Sequence, residues 1–275
     1  MLPDFPGDWR IETLEPLADG IGGKVWRVTL EGGRAAVLKQ ASAAALEEMP
    51  GAIDYMKWTN GLGSVRLLDA EGDLVLLEWA GERSLQDHLL SDGDEAATEV
   101  AADVLSRLHA DRAAPWPARL MPLRENFASL FSKAERDRRS GSSTQFVRAA
   151  EVAQVLLDSQ QDVTPLHGDI HHQNILFSER GWIAIDPKGL VGDAAFDFAN
   201  LFYNPIELDL RYDEARVLSM AATLERTARC DIGRVLSFAF AFSALSASWH
   251  EEDGNHDEAA RSLAVGRAVG AALSF

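Results

Sequence analysis

Apolar and polar positions alternate over much of the first 80 residues, which is the pattern of half-buried strands. KVWRVTL (24–30) alternates, EGG follows as a turn, and RAAVLKQ (34–40) is predicted to return as the second strand of a hairpin. SVRLLDA, EGD and LVLLEWA predict a second strand–turn–strand unit that ends near Ala80. A helix fits residues 47–60, where Pro50 is tolerable because it falls in the first turn.

From about residue 84 onwards the apolar residues are spaced three and four positions apart, which predicts amphipathic helices. SLQDHLL, EAATEVAADVLSRLHA, RENFASLFSKAERDRR and TQFVRAAEVAQVLLDSQ all have this spacing, and the pattern is helical again from Phe196 onwards. Two apolar runs, at 175–177 and 182–185, are too short for helices. Because they flank the turn SERG, they predict a hairpin embedded among the helices.

These elements predict an α+β chain with two lobes. The first, over residues 1–79, is a small β-rich lobe with one main helix, and the second, over residues 80–275, is larger and mostly helical. A hinge at about 78–84 joins them. Clefts between lobes are favoured ligand sites, so a ligand is expected where the two lobes meet.

The charge of the chain narrows the classes of partner. It carries 43 acidic and 26 basic residues, a formal net charge of −17. Such a field repels nucleic acid and anionic membranes and attracts cationic ligands. We therefore expect no nucleic acid and no membrane as partner, although solubility alone also explains an acidic surface.

Cysteine usage and the N-terminus bear on the compartment. Cys230 is the single cysteine, so no disulfide forms within the chain, as in a reducing cytoplasm. The start MLPDFPGDWR lacks the basic and apolar blocks of a secretory signal, and no apolar run approaches the ~18–20 residues that span a bilayer. A cytoplasmic monomer or homodimer is expected.

The stretch LHGDIHHQNILFSERGWIAIDPKG (166–189) gathers the polar residues with catalytic potential. His167, His171 and His172 suggest zinc, but no glutamate base lies between them, and the strand that follows makes a long helix improbable. A hydrolase would need an activated nucleophile, and Ser178 has no nucleophile-elbow pattern around it. Both alternatives explain few of these residues.

Phosphoryl transfer explains more of them. It requires a carboxylate that orients and deprotonates a hydroxyl, an oxygen ligand for Mg²⁺, and a second carboxylate between Mg²⁺ and the phosphates. Asp169, Asn174 and Asp186 supply these in that order, and Asn174 follows Asp169 at the offset found in kinase catalytic loops. Mg²⁺ prefers hard oxygen ligands and keeps some water, so two protein oxygens suffice.

These residues carry a family resemblance. HGDIHHQNIL followed by IDPKGLVGDAAFDFANL resembles the aminoglycoside phosphotransferase family, which has a protein-kinase-like fold. IDPKG and KWTNGLGSVRLLDAEGDLVLLEWA are similar to its branch of aminoglycoside 6-phosphotransferases and hydroxyurea kinases. The resemblance covers essentially the whole chain. It implies an antibiotic-resistance kinase with a bilobal fold, using ATP or GTP and Mg²⁺.

The resemblance also implies that the first lobe, residues 1–79, binds the nucleotide, and that the second, residues 80–275, is catalytic and binds the substrate. Lys39, in AAVLK, is in the position of the strand lysine that holds the α- and β-phosphates. Glu48 is its expected partner, and Glu47 is the alternative. The glycines of ADGIGGKVW (18–26), Gly22 and Gly23 among them, allow a backbone close to phosphates.

Further expectations concern the connector and the loop residues. Backbone groups of Glu78 and Ala80 would meet the adenine edge, an assignment that rests on the resemblance alone. The histidines are expected to be scaffold, and Asp197 to accept backbone N–H groups of the catalytic loop. The role of Lys188 stays open.

The acceptor implied by the resemblance is a small hydroxyl compound, an aminoglycoside such as streptomycin in the first hypothesis. Acidic residues that could hold its amines are Asp209, Glu251 and Glu252. A kinase of the same fold acting on another hydroxyl metabolite is the second hypothesis. A nucleotide-binding pseudokinase is the third, and the intact Lys39 and Asp169 argue against it.

Overall fold

The first part of the chain folds into a five-stranded antiparallel sheet. The structure is a computed structural model that describes residues 3, 5–20, 22–228 and 230–273. The strands lie in the order β1-β2-β3-β5-β4 and are β1 (Ile11–Gly20), β2 (Gly23–Leu30), β3 (Arg34–Ala41), β4 (Leu67–Glu71) and β5 (Leu74–Glu78). Both predicted hairpins are confirmed, since β2 pairs with β3 and β4 with β5. The edge strand β1 was not identified from the pattern.

One helix, α1 (Met49–Thr59), joins β3 to β4. It begins two residues after the start predicted for it, with Pro50 in its first turn as expected. Pro is tolerated there because the first-turn N–H groups have no partner within the helix. Asn60 ends the helix in a left-handed conformation, with a φ of 46°.

The second part of the chain is helical. Its helices are α2 (Leu85–Asp92), α3 (Asp94–Leu108), α4 (Leu123–Asn126), α5 (Ala128–Arg139), α6 (Gln145–Asp158), α7 (Phe196–Tyr203), α8 (Glu214–Ala228), α9 (Ile232–Glu252) and α10 (His256–Ala272). The helical segments predicted from periodicity are confirmed, except that RENFASLFSKAERDRR divides at Phe127 into α4 and α5. The α+β class, β-rich first and helical afterwards, is confirmed. The lobe boundary at residue 79 stays a prediction.

Short strands are embedded among these helices. They are β6 (Met121–Pro122), β7 (Val163–Leu166), β8 (Ile175–Ser178), β9 (Gly181–Ala184) and β10 (Leu190–Asp193). The hairpin predicted around SERG is confirmed as β8 and β9. A three-stranded sheet of order β6-β10-β7 was not predicted. It fixes the beginning of the loop between β7 and β8, because Leu166 pairs with Leu190.

Residues 79–84 connect the sheet to the helical part, and the connection ends in a capping box. The Oγ of Ser84 accepts the N–H of Asp87 at 3.1 Å, while the N–H of Ser84 donates to the Asp87 carboxylate at 2.8 Å. These two bonds satisfy N–H groups that the first turn of α2 leaves without partners. The capping box therefore fixes where the connector stops and the helical part begins.

The helix α9 forms the centre of the helical core. Among the described residues it is the one helix long and apolar enough to cross a membrane by length and composition, and 72% of its apolar window is buried inside the protein. The core helix of a soluble protein has the same properties. Phe238, Phe242 and Leu245 are buried here, and the first two meet Phe196 of α7 edge to face.

Candidate active site

The loop between β7 and β8 is held by His167, which is fully buried. Its Nε2 donates to the carbonyl of Ile185 at 2.9 Å, so Nδ1 is the acceptor for the N–H of Asp169 at 3.2 Å. Burial lowers the pKa of His167, which favours the neutral ring that this pattern requires. The side chain is scaffold, as expected from the sequence.

Asp197, at the start of α7, holds the same loop from the other side. It is buried and accepts the N–H of His167 at 3.0 Å and the N–H of Gly168 at 2.7 Å. His109 Nε2 donates to the same carboxylate at 2.9 Å. Asp197 therefore accepts backbone N–H groups of the catalytic loop, as the resemblance implied.

Two side-chain amides orient the half-buried carboxylate of Asp169. Asn200 Nδ2 donates to Oδ1 at 3.0 Å. Asn174 Nδ2 donates to the Asp169 carbonyl at 3.0 Å and lies 3.4 Å from Oδ2. Asn204 in turn donates to Oδ1 of Asn200 at 2.8 Å. Asn200 was not identified as a site residue, although it is the last residue of the quoted segment GDAAFDFAN.

Asp186 lies beside Asn174 because the hairpin returns the chain to it. The N–H of Ile185 donates to the carbonyl of Asn174 at 2.8 Å. Asp186 has a φ of 60°, a left-handed conformation that is uncommon for a residue with a side chain. Strained backbone of this kind is concentrated at functional sites. The structure therefore brings Asp169, Asn174 and Asp186 together.

Lys39 extends from β3 to this group and forms an ion pair with Asp186. Neither Glu47 nor Glu48 is within ion-pair distance of Lys39 in this structure. Glu48 precedes α1 and lines a cavity of about 80 Å³ that Lys39 and Asp186 also line. The ammonium of Lys39 is paired with the carboxylate of Asp186 instead. Its pairing with Glu48 or Glu47 therefore stays a prediction.

Two glycines bring the first turn of α1 against the segment after Asp186. Gly189 has a φ of 74°, and a Cβ on it would collide with the carbonyl of Gly51. A Cβ on Gly51 would lie 3.3 Å from the carbonyl oxygen of Gly189. The two backbones touch because neither residue has a side chain.

A mainly apolar cleft opens next to the Lys39–Asp186 pair. It has a volume of about 310 Å³ and lies between the sheet, the connector and the β8–β9 hairpin. Glu78 and Ala80, predicted to meet an adenine, both line it. Other lining residues are Leu17, Val25, Val37, Leu77, Trp79 and Leu176.

The carboxylate of Glu78 has a structural partner that the sequence analysis missed. Arg180, in the SERG turn, forms an ion pair with it and donates to the carbonyls of Gly61 at 2.6 Å and Ser64 at 3.0 Å. The N–H of Arg66 donates to the same carboxylate at 2.8 Å. Arg180 thus ties the hairpin to the end of β5.

The glycine segment forms a tight connection between β1 and β2. Gly20 pairs with Gly23 across the two strands, and Ile21 lies outside the described residues. A Cβ on Gly23 would collide with the carbonyl of Gln40, whereas one on Gly22 would meet nothing within 4 Å. Gly23 is therefore required by the sheet, and a phosphate-covering role for Gly22 and Gly23 stays a prediction.

The three acidic acceptor candidates are not joined to the catalytic loop by hydrogen bonds in the described part of the chain. Asp209 lines an open cavity of about 630 Å³. Glu251 pairs with His256 at 3.2 Å, and Glu252 accepts from Ser129 at 2.7 Å.

A carboxylate missed from the sequence is nearer to the loop. Gln173, between His172 and Asn174, donates to Glu207 at 3.0 Å. Glu207 also lines the open cavity that contains Asp209. It was overlooked because it lies in a loop without a recognisable pattern, outside the acidic C-terminal segment.

Comparison with known proteins identifies the family. The family described as aminoglycoside/hydroxyurea antibiotic resistance kinase matches residues 8–254. The chain belongs to this family. The resemblance and the prediction of a phosphotransferase acting on an alcohol group are confirmed.

Several members of this kinase family are similar along most of their length. The streptomycin 3″-kinase of Klebsiella pneumoniae is 37% identical over 205 residues, which are 72% of this chain and 74% of that protein. The streptomycin 6-kinase of Streptomyces griseus is 32% identical over 237 residues, 81% of this chain and 74% of that protein. The hydroxyurea phosphotransferase of Kitasatospora aureofaciens is 28% identical over 275 residues, 96% of this chain and 76% of that protein.

Solved structures confirm the protein-kinase-like fold. A complex of aminoglycoside phosphotransferase APH(4)-Ia with ADP and hygromycin B matches with a TM-score of 0.66, at 16% identity, over 96% of this chain and 95% of that one. The amicoumacin kinase hAmiN, in complex with AMP-PNP, Ca²⁺ and Ami, matches with a TM-score of 0.68, at 17% identity, over 94% and 88%.

The donor atoms of this kinase suit a hard cation. Asp186 offers a carboxylate, and the Nδ2 of Asn174 is turned to Asp169, which leaves Oδ1 of Asn174 for a metal. Among the described residues, no group of three or more His, Cys, Asp or Glu is arranged to hold a metal. Two oxygens with water as the remaining ligands are the set that Mg²⁺ accepts.

The other two histidines of this kinase loop are also held neutral. Burial lowers the pKa of His172 to about 3. Burial lowers the pKa of His171 as well, against the opposing effect of the carboxylates of Asp169, Asp186 and Glu207. Neither ring shares a partner with His167, so the three histidines are separate parts of the scaffold.

Proposed function

We propose that the chain transfers the γ-phosphoryl group of ATP, or of GTP, to a hydroxyl of an aminoglycoside-like acceptor such as streptomycin. The observation that carries the proposal is the convergence of Asp169, Asn174, Asp186 and Lys39 at one end of the apolar cleft. A phosphoryl-transfer site needs these groups at the phosphate end of a nucleotide site.

The cleft supports an assignment of the nucleotide side. Its apolar walls suit a purine, with the backbone of Glu78 and Ala80 available to the adenine edge. Lys39 would hold the α- and β-phosphates, with Glu48 able to receive it from the same small cavity. Gly22 and Gly23 would cover the phosphates from the β1–β2 turn.

Asn174 and Asp186 are proposed to hold Mg²⁺. The bound ion would neutralise phosphate oxygens as charge develops on them. Within the chain, the left-handed backbone of Asp186 aims its carboxylate toward Lys39 and the cleft. Asn174 contributes twice, since its amide nitrogen orients Asp169 and its oxygen remains for the cation.

Asp169 is proposed to act on the acceptor hydroxyl. Held by the two amides, it would orient the hydroxyl and accept its proton while the acceptor oxygen forms a bond to Pγ. The bond from Pγ to the β–γ bridging oxygen breaks, and its electron pair leaves with the nucleoside diphosphate. Positioning and electrostatics are the main contributions of a protein to this chemistry.

The acceptor class rests on charge and on the relatives. The net charge of −17 favours a cationic acceptor, and Glu207, Asp209, Glu251 and Glu252 are candidates for its amines. Relatives named as streptomycin kinases that act at the 3″ and 6 positions match the chain at 37% and 32% identity. Similarity to a hydroxyurea phosphotransferase over 96% of the chain favours hydroxyurea as the second candidate.

A coupled assay of nucleotide turnover tests the proposal, with streptomycin, other aminoglycosides and hydroxyurea as acceptors. We expect turnover with streptomycin, a phosphorylated product whose position is read by NMR, and loss of transfer in Asp169→Asn with nucleotide binding retained. Turnover with hydroxyurea alone would replace the first candidate by the second. Unchanged turnover in Asp169→Asn would refute the assignment of the site.

A further inference from the structure

The side chain of Lys188 starts beside the catalytic loop, and the proposed transfer assigns no role to it. It follows Asp186 by two residues, and its N–H donates to the carbonyl of His167 at 2.8 Å. Its Cβ lies 3.3 Å from the position that a Cβ on Gly168 would occupy. The side chain therefore starts next to the residue that precedes Asp169.

The ammonium of Lys188 rests on an aromatic ring. Its Nζ lies 4.9 Å from the ring centroid of Trp249, in the last turn of α9. That ring is supported edge-on by Phe242, at 6.3 Å between centroids. An indole face attracts a cation without neutralising its charge.

In the described part of the chain, no carboxylate lies within ion-pair distance of Lys188. This distinguishes it from Lys39, which is paired with Asp186. An ammonium without a carboxylate partner is available to an anionic ligand. As a compact point charge it suits phosphate oxygens.

The charge of Lys188 lies in the same neighbourhood as the carboxylates around His171. Asp169, Asp186 and Glu207 raise the pKa of His171 and Lys188 lowers it, so all four charges lie near one ring. Three of them are negative. Because Lys188 follows Asp186 by two residues and its N–H bonds to His167, two residues before Asp169, its side chain starts between the two carboxylates that flank the phosphoryl group in the proposed transfer.

We propose that Lys188 is a catalytic residue that binds a non-bridging oxygen of the γ-phosphoryl group during transfer, and that Trp249 is a positioning residue for its ammonium. This rests on the proposed function. The step is the phosphoryl transfer proposed above: Pγ bonds to the acceptor oxygen, the nucleoside diphosphate leaves with the electron pair, and Asp169 takes the proton. Lys188 gains and loses no proton in it.

The test compares Lys188→Met, Lys188→Arg, Trp249→Phe and the double variant Lys188→Met/Trp249→Phe. The exposed Lys57→Met on α1 is the matched control. The measurements are kcat, KM for each substrate, nucleotide Kd by calorimetry and Tm. Preorganised charges act on the transition state, so we expect Lys188→Met to lower kcat by roughly 10²-fold, with both KM values and the nucleotide Kd within about twofold.

Lys188→Arg should recover part of kcat, because the charge is kept. Trp249→Phe should lower kcat less than Lys188→Met does, and should add nothing in the double variant, because it acts through the lysine. Parental kcat in Lys188→Met would overturn the role of Lys188, as would a loss confined to KM or Kd. An additive effect of Trp249→Phe would overturn the role of Trp249.

A failure of the proposed function gives a different result. If the parent phosphorylates none of the acceptors offered, the acceptor assignment is wrong. The rate of Lys188→Met relative to that of the parent is then measured for hydrolysis of the nucleotide by water, because hydrolysis transfers the same phosphoryl group. A parent without either activity would overturn both proposals.

Discussion

Asn200 donates its side-chain amide to Oδ1 of Asp169 at 3.0 Å, and so fixes the carboxylate proposed to take the acceptor proton. We expect Asn200→Ala to lower kcat by about 10²-fold, because small displacements of a positioned group cost that much. Nucleotide Kd should not change. The exposed Asn255→Ala, at the start of α10, is the control and should keep the parental kcat. A parental kcat in Asn200→Ala would show that Asn174 alone orients the aspartate.

Asp186→Ala should remove the Mg²⁺-dependent part of nucleotide affinity. The variant loses the carboxylate proposed to bind the metal, while Lys39 is released for the phosphates. Calorimetric titration of nucleotide with and without Mg²⁺ measures this directly. Asp158→Ala, at an exposed ion pair with Arg124, should titrate like the parent. The same metal dependence in Asp186→Ala and parent would exclude Asp186 as a ligand.

Arg180→Ala should lower the free energy of unfolding by about 2–3 kcal/mol, because the mostly buried Glu78 loses its ion pair with Arg180 and keeps only its contacts with Arg66, while two carbonyls lose their guanidinium donor. The control is Arg139→Ala. Its pair with Glu135 is exposed on one helix face, so a change within about 0.5 kcal/mol is expected. Urea unfolding of both variants gives the comparison. Equal losses would mean that the Glu78–Arg180 pair stabilises no more than a surface pair.

Stability should decrease as the pH falls below 6.5, before most carboxylates titrate. Burial lowers the pKa of His172 from an ordinary 6.5 to about 3. Between those values the unfolded chain binds a proton that the folded chain does not, so acid favours unfolding. The contribution is fully present above pH 6.5 and falls by about 1.4 kcal/mol per pH unit below it.

The measurement is urea unfolding at pH 5.5 and 7.5 in the parent and in His172→Gln. The variant should lose less stability between the two pH values, since glutamine binds no proton there. His167 and His171, whose pKa values are also lowered, remain in both proteins. Equal losses would assign the acid sensitivity to those two rings.

Local signals identified most of the fold and predicted the residues proposed for the nucleotide side of the candidate site. The turns EGG, EGD and SERG separate strands whose side chains alternate, and the helices have an apolar period of three to four. Asp169, Asn174 and Asp186 were found because their spacing reflects one loop and one hairpin. The strands β7 and β10 were missed because four residues are too few to show a period, and, unlike the equally short β8 and β9, they are not joined by a turn.

The residues missed in the site are those whose roles depend on distant partners. Arg180 is an ordinary turn residue until Glu78, 102 positions away, is brought next to it. The ion pair between Lys39 and Asp186 depends on how the hairpin faces the sheet. A count of acidic residues favoured the C-terminal segment, whereas Glu207, which accepts from Gln173 of the catalytic loop, lies in a loop without a signal.

The contact between Gly51 and Gly189 has a consequence for recombining members of this family. The two glycines lie on opposite sides of the proposed boundary at residue 79, so a chimera that joins residues 1–79 of one parent to the remainder of another assembles this contact from both parents. A side chain at position 189 would collide with the carbonyl of Gly51, whereas a Cβ at position 51 would lie 3.3 Å from the carbonyl oxygen of Gly189. Exchange of the first part therefore requires glycine at position 189, and the residue at position 51 must be chosen together with it.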